Sequence, residues 1–194
     1  SSSGGGNSNI NVRGIPISTG GAKFLSLQED GLPILLFGDH LFAPADGFYK
    51  SDTSLARVES VRGGTASTLT TNGPGGIINL IGKTGKNGGG SLGFGIGLDH
   101  NDYRVDAEYG ANLADDLYFH VGGHFQQGGD YRNSGYDPVS GGQIRLSMTK
   151  EFDAGYVRLT GKVIDKKEQA YFPQLVSRTG NATSGVVGTS LGNF

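Results

Sequence analysis

Cysteine and tryptophan are absent from this 194-residue chain, methionine occurs once and proline six times. Without cysteine there is no disulfide framework and no cysteine-ligated zinc or iron–sulfur site. An excess of positive charge is missing too. Sixteen Lys and Arg stand against eighteen Asp and Glu, a net charge of -2, so nucleic acid is not expected as a partner. Long apolar runs are also lacking: Leu35 to Phe37 and Ile77 to Ile81, the latter interrupted by Asn79, fall far short of the ~18 residues of a membrane-spanning helix. The other structure that crosses hydrocarbon with every backbone group paired is a closed β-barrel. Its strands look only moderately hydrophobic because alternate residues face a polar lumen, and a mean hydropathy of -0.28 is compatible with that. The chain opens on Ser1 with no basic-then-apolar leader behind it, so it is expected to be cut at its front.

What is abundant is glycine, 36 residues of it, a balance that favours strands and turns over helices. The run Gly82-Lys83-Thr84-Gly85-Lys86-Asn87-Gly88-Gly89-Gly90 is a low-complexity seam. It divides the chain into residues 1–85 and residues 86–194. The Ser1 to Ser8 stretch is rich in glycine and serine and reads as a loop.

After the seam, apolar residues alternate with small or polar ones, the period of a strand with two unlike faces. Leu92, Phe94, Ile96 and Leu98 alternate with Gly93, Gly95 and Gly97; Tyr103, Val105, Ala107 and Tyr109 with Arg104, Asp106 and Glu108. Leu117, Phe119, Val121 and Phe125 oppose Tyr118, His120, His124 and Gln126. Ile144, Leu146 and Met148 oppose Gln143, Arg145, Ser147 and Thr149, and Val157, Leu159 and Val163 oppose Arg158, Thr160 and Lys162. Five strands of ~10 residues, the length that crosses a bilayer when tilted, are joined by short turns at Leu113 to Asp116 and Glu151 to Gly155. Gly128 to Gly141 and the stretch from Lys166 onward are long connections. Outer-membrane barrels alternate short periplasmic turns with longer external loops in this way, although a soluble β-sandwich also alternates its faces.

The first half carries Asn11-Val12-Arg13-Gly14, Glu29-Asp30-Gly31-Leu32-Pro33, Leu55-Ala56-Arg57-Val58-Glu59-Ser60-Val61-Arg62-Gly63 and Gly73-Pro74-Gly75-Gly76-Ile77-Ile78-Asn79-Leu80-Ile81-Gly82-Lys83. This ordered set resembles the plug domain of TonB-dependent outer-membrane receptors, over residues 10 to 85. Each motif alone is weak, since Arg-Gly and Asp-Gly are common turn dipeptides; their order and spacing make the resemblance specific. Gly64 departs from a usual proline, Thr70-Thr71 from a tyrosine-glycine, and Gly82 from a threonine, the first two within the loop from Gly63 to Gly76.

The resemblance implies a mixed α/β plug fragment in residues 1–85, its C-terminal half, followed in 86–194 by the first antiparallel transmembrane strands of a barrel of about 22 strands. It implies the cell outer membrane of a Gram-negative bacterium, contact with outer-membrane lipid, and energised uptake of a scarce solute such as a siderophore, cobalamin or carbohydrate. The partner is then TonB with its inner-membrane motor, engaged through an N-terminal segment lying before Ser1; no cofactor is implied. Plug apices supply ligand contacts in such receptors, and the residues expected there are Lys23, His40, Phe42, Phe48 and Tyr49. Aromatic side chains suit sugars or chelates, though packing against the barrel wall accounts for them as well. Gly14, Gly31, Gly63, Gly75 and Gly76 are the motif glycines, placed for positive φ or close backbone approach. Val58, Val61, Ile77, Ile78, Leu80 and Ile81 are expected to form a small core. Arg57, Glu59 and Arg62 are expected as a plug–barrel charge network with barrel acids beyond Phe194; the alternative is a local solvated network.

Other chemistry finds little support. A phosphate loop at Gly82-Lys83-Thr84 needs glycine five positions earlier, where Ile77 stands. Gly93, Gly95 and Gly97 lack the third glycine of a dinucleotide fingerprint. His120 and His124 share one side of a strand at ~13 Å, too far apart for one metal ion. No nucleophile–base pair or carboxylate pair stands out, so no enzyme is expected. The rival to a receptor is a surface or secreted β-rich adhesin-like structural protein.

Overall fold

A computed structural model describes residues 25–35, 45–64, 66–70, 73, 75–98, 101–129, 135–168, 176–180 and 182–185. The first half forms a four-stranded sheet in the order β2-β1-β4-β3, from β1 (Leu25–Glu29), β2 (Leu32–Pro33), β3 (Leu55–Arg62) and β4 (Gly76–Gly82). β1 and β4 run parallel, the other pairs antiparallel. Asp30 and Gly31 turn β1 into β2 with φ of 50 and 86, the positive values that a tight hairpin demands and Asp-Gly supplies. Helix among the described residues is limited to a 3-10 turn at Ala45–Phe48 and α1 (Ala66–Leu69). Helix therefore contributes far less than a mixed α/β half implies.

The second half is a five-stranded antiparallel meander, β5-β6-β7-β8-β9: β5 (Gly89–Ile96), β6 (Asp102–Ala114), β7 (Leu117–Gly128), β8 (Val139–Phe152) and β9 (Gly155–Glu168). All five expected strands form, most of them longer than the sequence pattern suggests. The two-residue turns at 115–116 and 153–154 lie at one end, the longer 129–138 connection at the other. The stretch beyond β9 is more than a loop, since β10 (Val176–Thr179) and β11 (Ala182–Gly185) pair as a hairpin.

The meander is inverted relative to a soluble sheet. Its polar face is buried: Ser147 is 0% exposed and Arg145 4%, with His120, Gln126, Gln143 and Thr149 equally enclosed. Its apolar face is open, with Phe94 74% and Leu159 70% exposed beside Ile144, Leu146 and Val163. The N-terminal sheet covers the polar face and holds a small core of Leu27 and Leu80, packed by Ile34, Leu35, Tyr49, Leu55 and Ile78. Ile77 is buried as expected, but Val58 is 55% exposed. β3 is the edge of its sheet, and its residues from Ala56 to Ser60 are exposed on both faces of the strand.

Candidate functional site

The region where polar chemistry concentrates is the interface between the N-terminal sheet and the meander wall. At its centre Arg145, from β8, reaches the carboxylates of Glu29 (Nε to Oε1, 3.3 Å) and Asp30 at the β1–β2 turn. Lys162 from β9 pairs with the other Glu29 oxygen, and its ammonium lies 5.3 Å from the centre of the Tyr49 ring. Asp30 also accepts the Gly82 N–H at 2.9 Å. Buried charges cost heavily unless paired, and here alternating signs from both layers pair them, although Arg145 Nε and Nη1 are buried without a hydrogen bond among the described residues.

Two histidine–carboxylate contacts flank this centre. Asp52 accepts Gln143 Nε2 at 2.6 Å and the Ser54 N–H at 2.8 Å, with His124 Nδ1 at 3.7 Å. Burial alone would raise the Asp52 carboxyl, but His124, Gln143 and Ser54 together outweigh it and hold it down to about 2. Burial, then the carboxylates of Asp52 and Glu29, push the Tyr49 phenol above its ordinary range. On the other flank Glu108 accepts from Lys83 (2.5 Å) and Ser91 (2.9 Å) and lies 2.9 Å from His120 Nε2. Further pairs close the two ends: Lys50 with Glu168 (3.2 Å) and Arg104 with the Ser51 carbonyl (2.8 Å) toward the long connections, Lys86 with Glu151 (2.6 Å) toward the short turns.

The residues singled out from sequence are distributed unevenly over this site. Arg57 and Glu59 pair with each other at 2.8 Å on the open side of β3, and Arg62 is exposed. Glu59 also accepts Asn79 Nδ2 at 3.3 Å, and Asn79 Oδ1 accepts the Gly31 N–H at 2.9 Å. Three separate motifs thus converge on one side chain, Asn79. Gly31, Gly63 and Gly76 adopt positive φ; at Gly76 a Cβ would also stand 2.6 Å from the Val61 carbonyl oxygen. Gly75 is buried. Phe48, 45% exposed, lines a groove of about 560 Å³ between the β1–β2 hairpin and β9, shared with Leu32, Ile34 and Ile164. Tyr49 packs on the core. Gly14, Lys23, His40 and Phe42 lie outside the described residues.

Sequence reasoning missed the roles of Asp52, Gln143, Arg145 and Lys162. A signal existed, in that Gln143, Arg145 and Lys162 occupy the polar side of an alternating strand. Among the described residues no three His, Asp or Glu side chains gather as a metal site. No described helix is long and apolar enough to cross a membrane, which leaves strand crossing open.

A wall with one apolar face and one polar face, the polar face covered by a small sheet, defines the architectural class: mostly antiparallel β with almost no helix among the described residues, consistent with a barrel-like fragment. Comparison with known proteins found no matching family model and no matching curated protein. Among solved structures, the chain is similar to the crystal structure of the ferric enterobactin receptor PfeA at 16% sequence identity and a TM-score of 0.46. That match covers 73% of this chain and 26% of the receptor, so the chain spans about a quarter of that protein's length.

Proposed function

We propose that the chain is part of a TonB-dependent outer-membrane receptor, residues 1–85 belonging to the plug and residues 86–194 to the first barrel strands. The observation that carries this is the inverted burial of the meander. A soluble protein loses ~1.5–3 kcal/mol for each large apolar side chain left in water rather than buried. A face composed of them over five strands is stable only against an apolar solvent. The polar face is the complement, a lumen lining whose charges are answered by the N-terminal sheet. The ordered plug motifs, drawn together at Asn79, support the same reading.

In this reading the receptor binds a scarce solute from outside, a siderophore, cobalamin or carbohydrate, and TonB releases it by acting on the plug. Lys23, His40, Phe42, Phe48 and Tyr49 are the proposed solute contacts; the position of Phe48 and Tyr49 next to Lys50, which pairs with Glu168 at the long-connection end, supports an outward-facing site. Arg57, Glu59 and Arg62 are the proposed plug–barrel charge network; all three are exposed, and Arg57 and Glu59 pair with each other. The test is fractionation of cells expressing the complete protein, combined with uptake assays with and without TonB. Expected are outer-membrane localisation, detergent-dependent extraction and TonB-dependent accumulation of a solute. A complete protein that stays soluble without detergent would favour the adhesin-like alternative and sink the receptor reading.

A further inference from the structure

Gly82 closes β4 at a buried position, and the wall has taken the space its side chain would fill. A Cβ at Gly82 would fall on the guanidinium carbon and both terminal nitrogens of Arg145. The guanidinium therefore lies over bare backbone, while its nitrogens reach Asp30 and Glu29. Asp30 accepts the Gly82 N–H with its remaining oxygen, so one carboxylate binds both the recess and the group seated in it. The neighbours of Gly82 along the strand, Leu80 and Ile81, carry large side chains.

We propose that Gly82 and Arg145 form a recess and key that fix the register in which the N-terminal sheet docks on the wall. Charge attraction alone is a poor register device, because it falls off gradually with distance and accepts several offsets. A planar guanidinium seated over a glycine favours one, because the two carboxylates pin the end of a side chain that would otherwise swing aside. The carboxylates supply the attraction that a buried arginine needs, and the missing side chain decides where along β4 that attraction is satisfied. Arg145 is thus a positioning residue acting through Gly82. Its functional consequence rests on the receptor reading: the key is a contact that must yield before the plug can shift.

The test measures backbone amide exchange of β1 and β4 in the complete protein in detergent. Gly82→Thr is expected to speed exchange about tenfold, on the scale of coupling between residues in contact. Gly64→Thr, where a Cβ meets nothing within 4 Å, is expected to leave it unchanged. The decisive variant is Gly82→Thr combined with Arg145→Ser, which is expected to exchange no faster than Arg145→Ser alone, because the smaller side chain vacates the room that threonine needs. Strictly additive effects, or wild-type exchange in Gly82→Thr, overturn the proposal. If the threonine variant does not fold, Gly82→Ala takes its place in the same cycle, and wild-type exchange there is equally fatal. Solute uptake by the same variants forms a separate arm. Absence of uptake in the wild type counts against the receptor reading and leaves the exchange cycle to judge the key.

Discussion

Asp52 carries its charge into a nearly closed site and keeps it because His124, Gln143 and Ser54 surround it. A carboxyl held at about 2, against ~3.9 in an unfolded chain, binds its proton less readily when folded. Its contribution to stability is therefore complete above the unfolded value and disappears as pH falls from there through about 2. Thermal unfolding followed between pH 5 and pH 2 is expected to show an acid-side loss in the wild type that is smaller in Asp52→Asn. Equal slopes for the two would remove Asp52 from the account. Asn79 is the other residue whose consequences are local and measurable. Its amide serves the Gly31 turn and Glu59 at once, so Asn79→Leu is expected to cost about 0.5–1.5 kcal/mol in denaturant unfolding, the net loss of hydrogen bonds that water can partly replace.

At the level of elements, the wall strands were legible because period-two alternation needs no knowledge of the rest of the molecule. Leu146 and Arg145 are forced to opposite faces by adjacency alone. β3 was harder. Val58 and Val61 stand three apart and so face opposite sides of the strand, and hydrophobicity reports that a residue would gain from cover, not whether anything covers it; Val58 is exposed and Val61 only partly buried. The interface was least legible, since Arg145 and Asp30 are 115 residues apart, and sequence shows that each needs a partner without showing which. The same face logic yields a sharp comparison on β9. Leu159→Lys places a charge on the apolar face, and if that face meets lipid as proposed the charge is expected to cost about 2–4 kcal/mol near a bilayer midplane and to lower the amount assembled in the outer membrane. Thr160→Lys, one residue on and facing inward, is expected to assemble normally. Matched assembly of the two variants, measured by surface labelling or heat-modifiable mobility, would contradict a lipid-facing wall.

For the whole molecule, the interface between sheet and wall is built from ion pairs and hydrogen bonds rather than from a shared apolar core. Such a contact separates at lower cost than an apolar one of equal area when water can enter, because each group exchanges a protein partner for a solvent one. A layer that has to move relative to its wall is served by that chemistry, and a layer that only fills space is not. Because the chain has no cysteine of its own, the movement can be tested by pinning the layers. Gly122 of β7 stands so close to Ser54 that a Cβ on it would touch the serine hydroxyl, which makes Ser54→Cys with Gly122→Cys a direct tether across the interface. On the proposed receptor reading, the oxidised double variant of the complete protein is expected to bind solute with unchanged affinity and to lose uptake, and reductant is expected to restore uptake. Each single variant controls for the loss of Ser54 and for a side chain at Gly122. Full uptake in the oxidised form would show that sheet and wall stay locked throughout the cycle, and solute would then have to pass without any displacement at this contact.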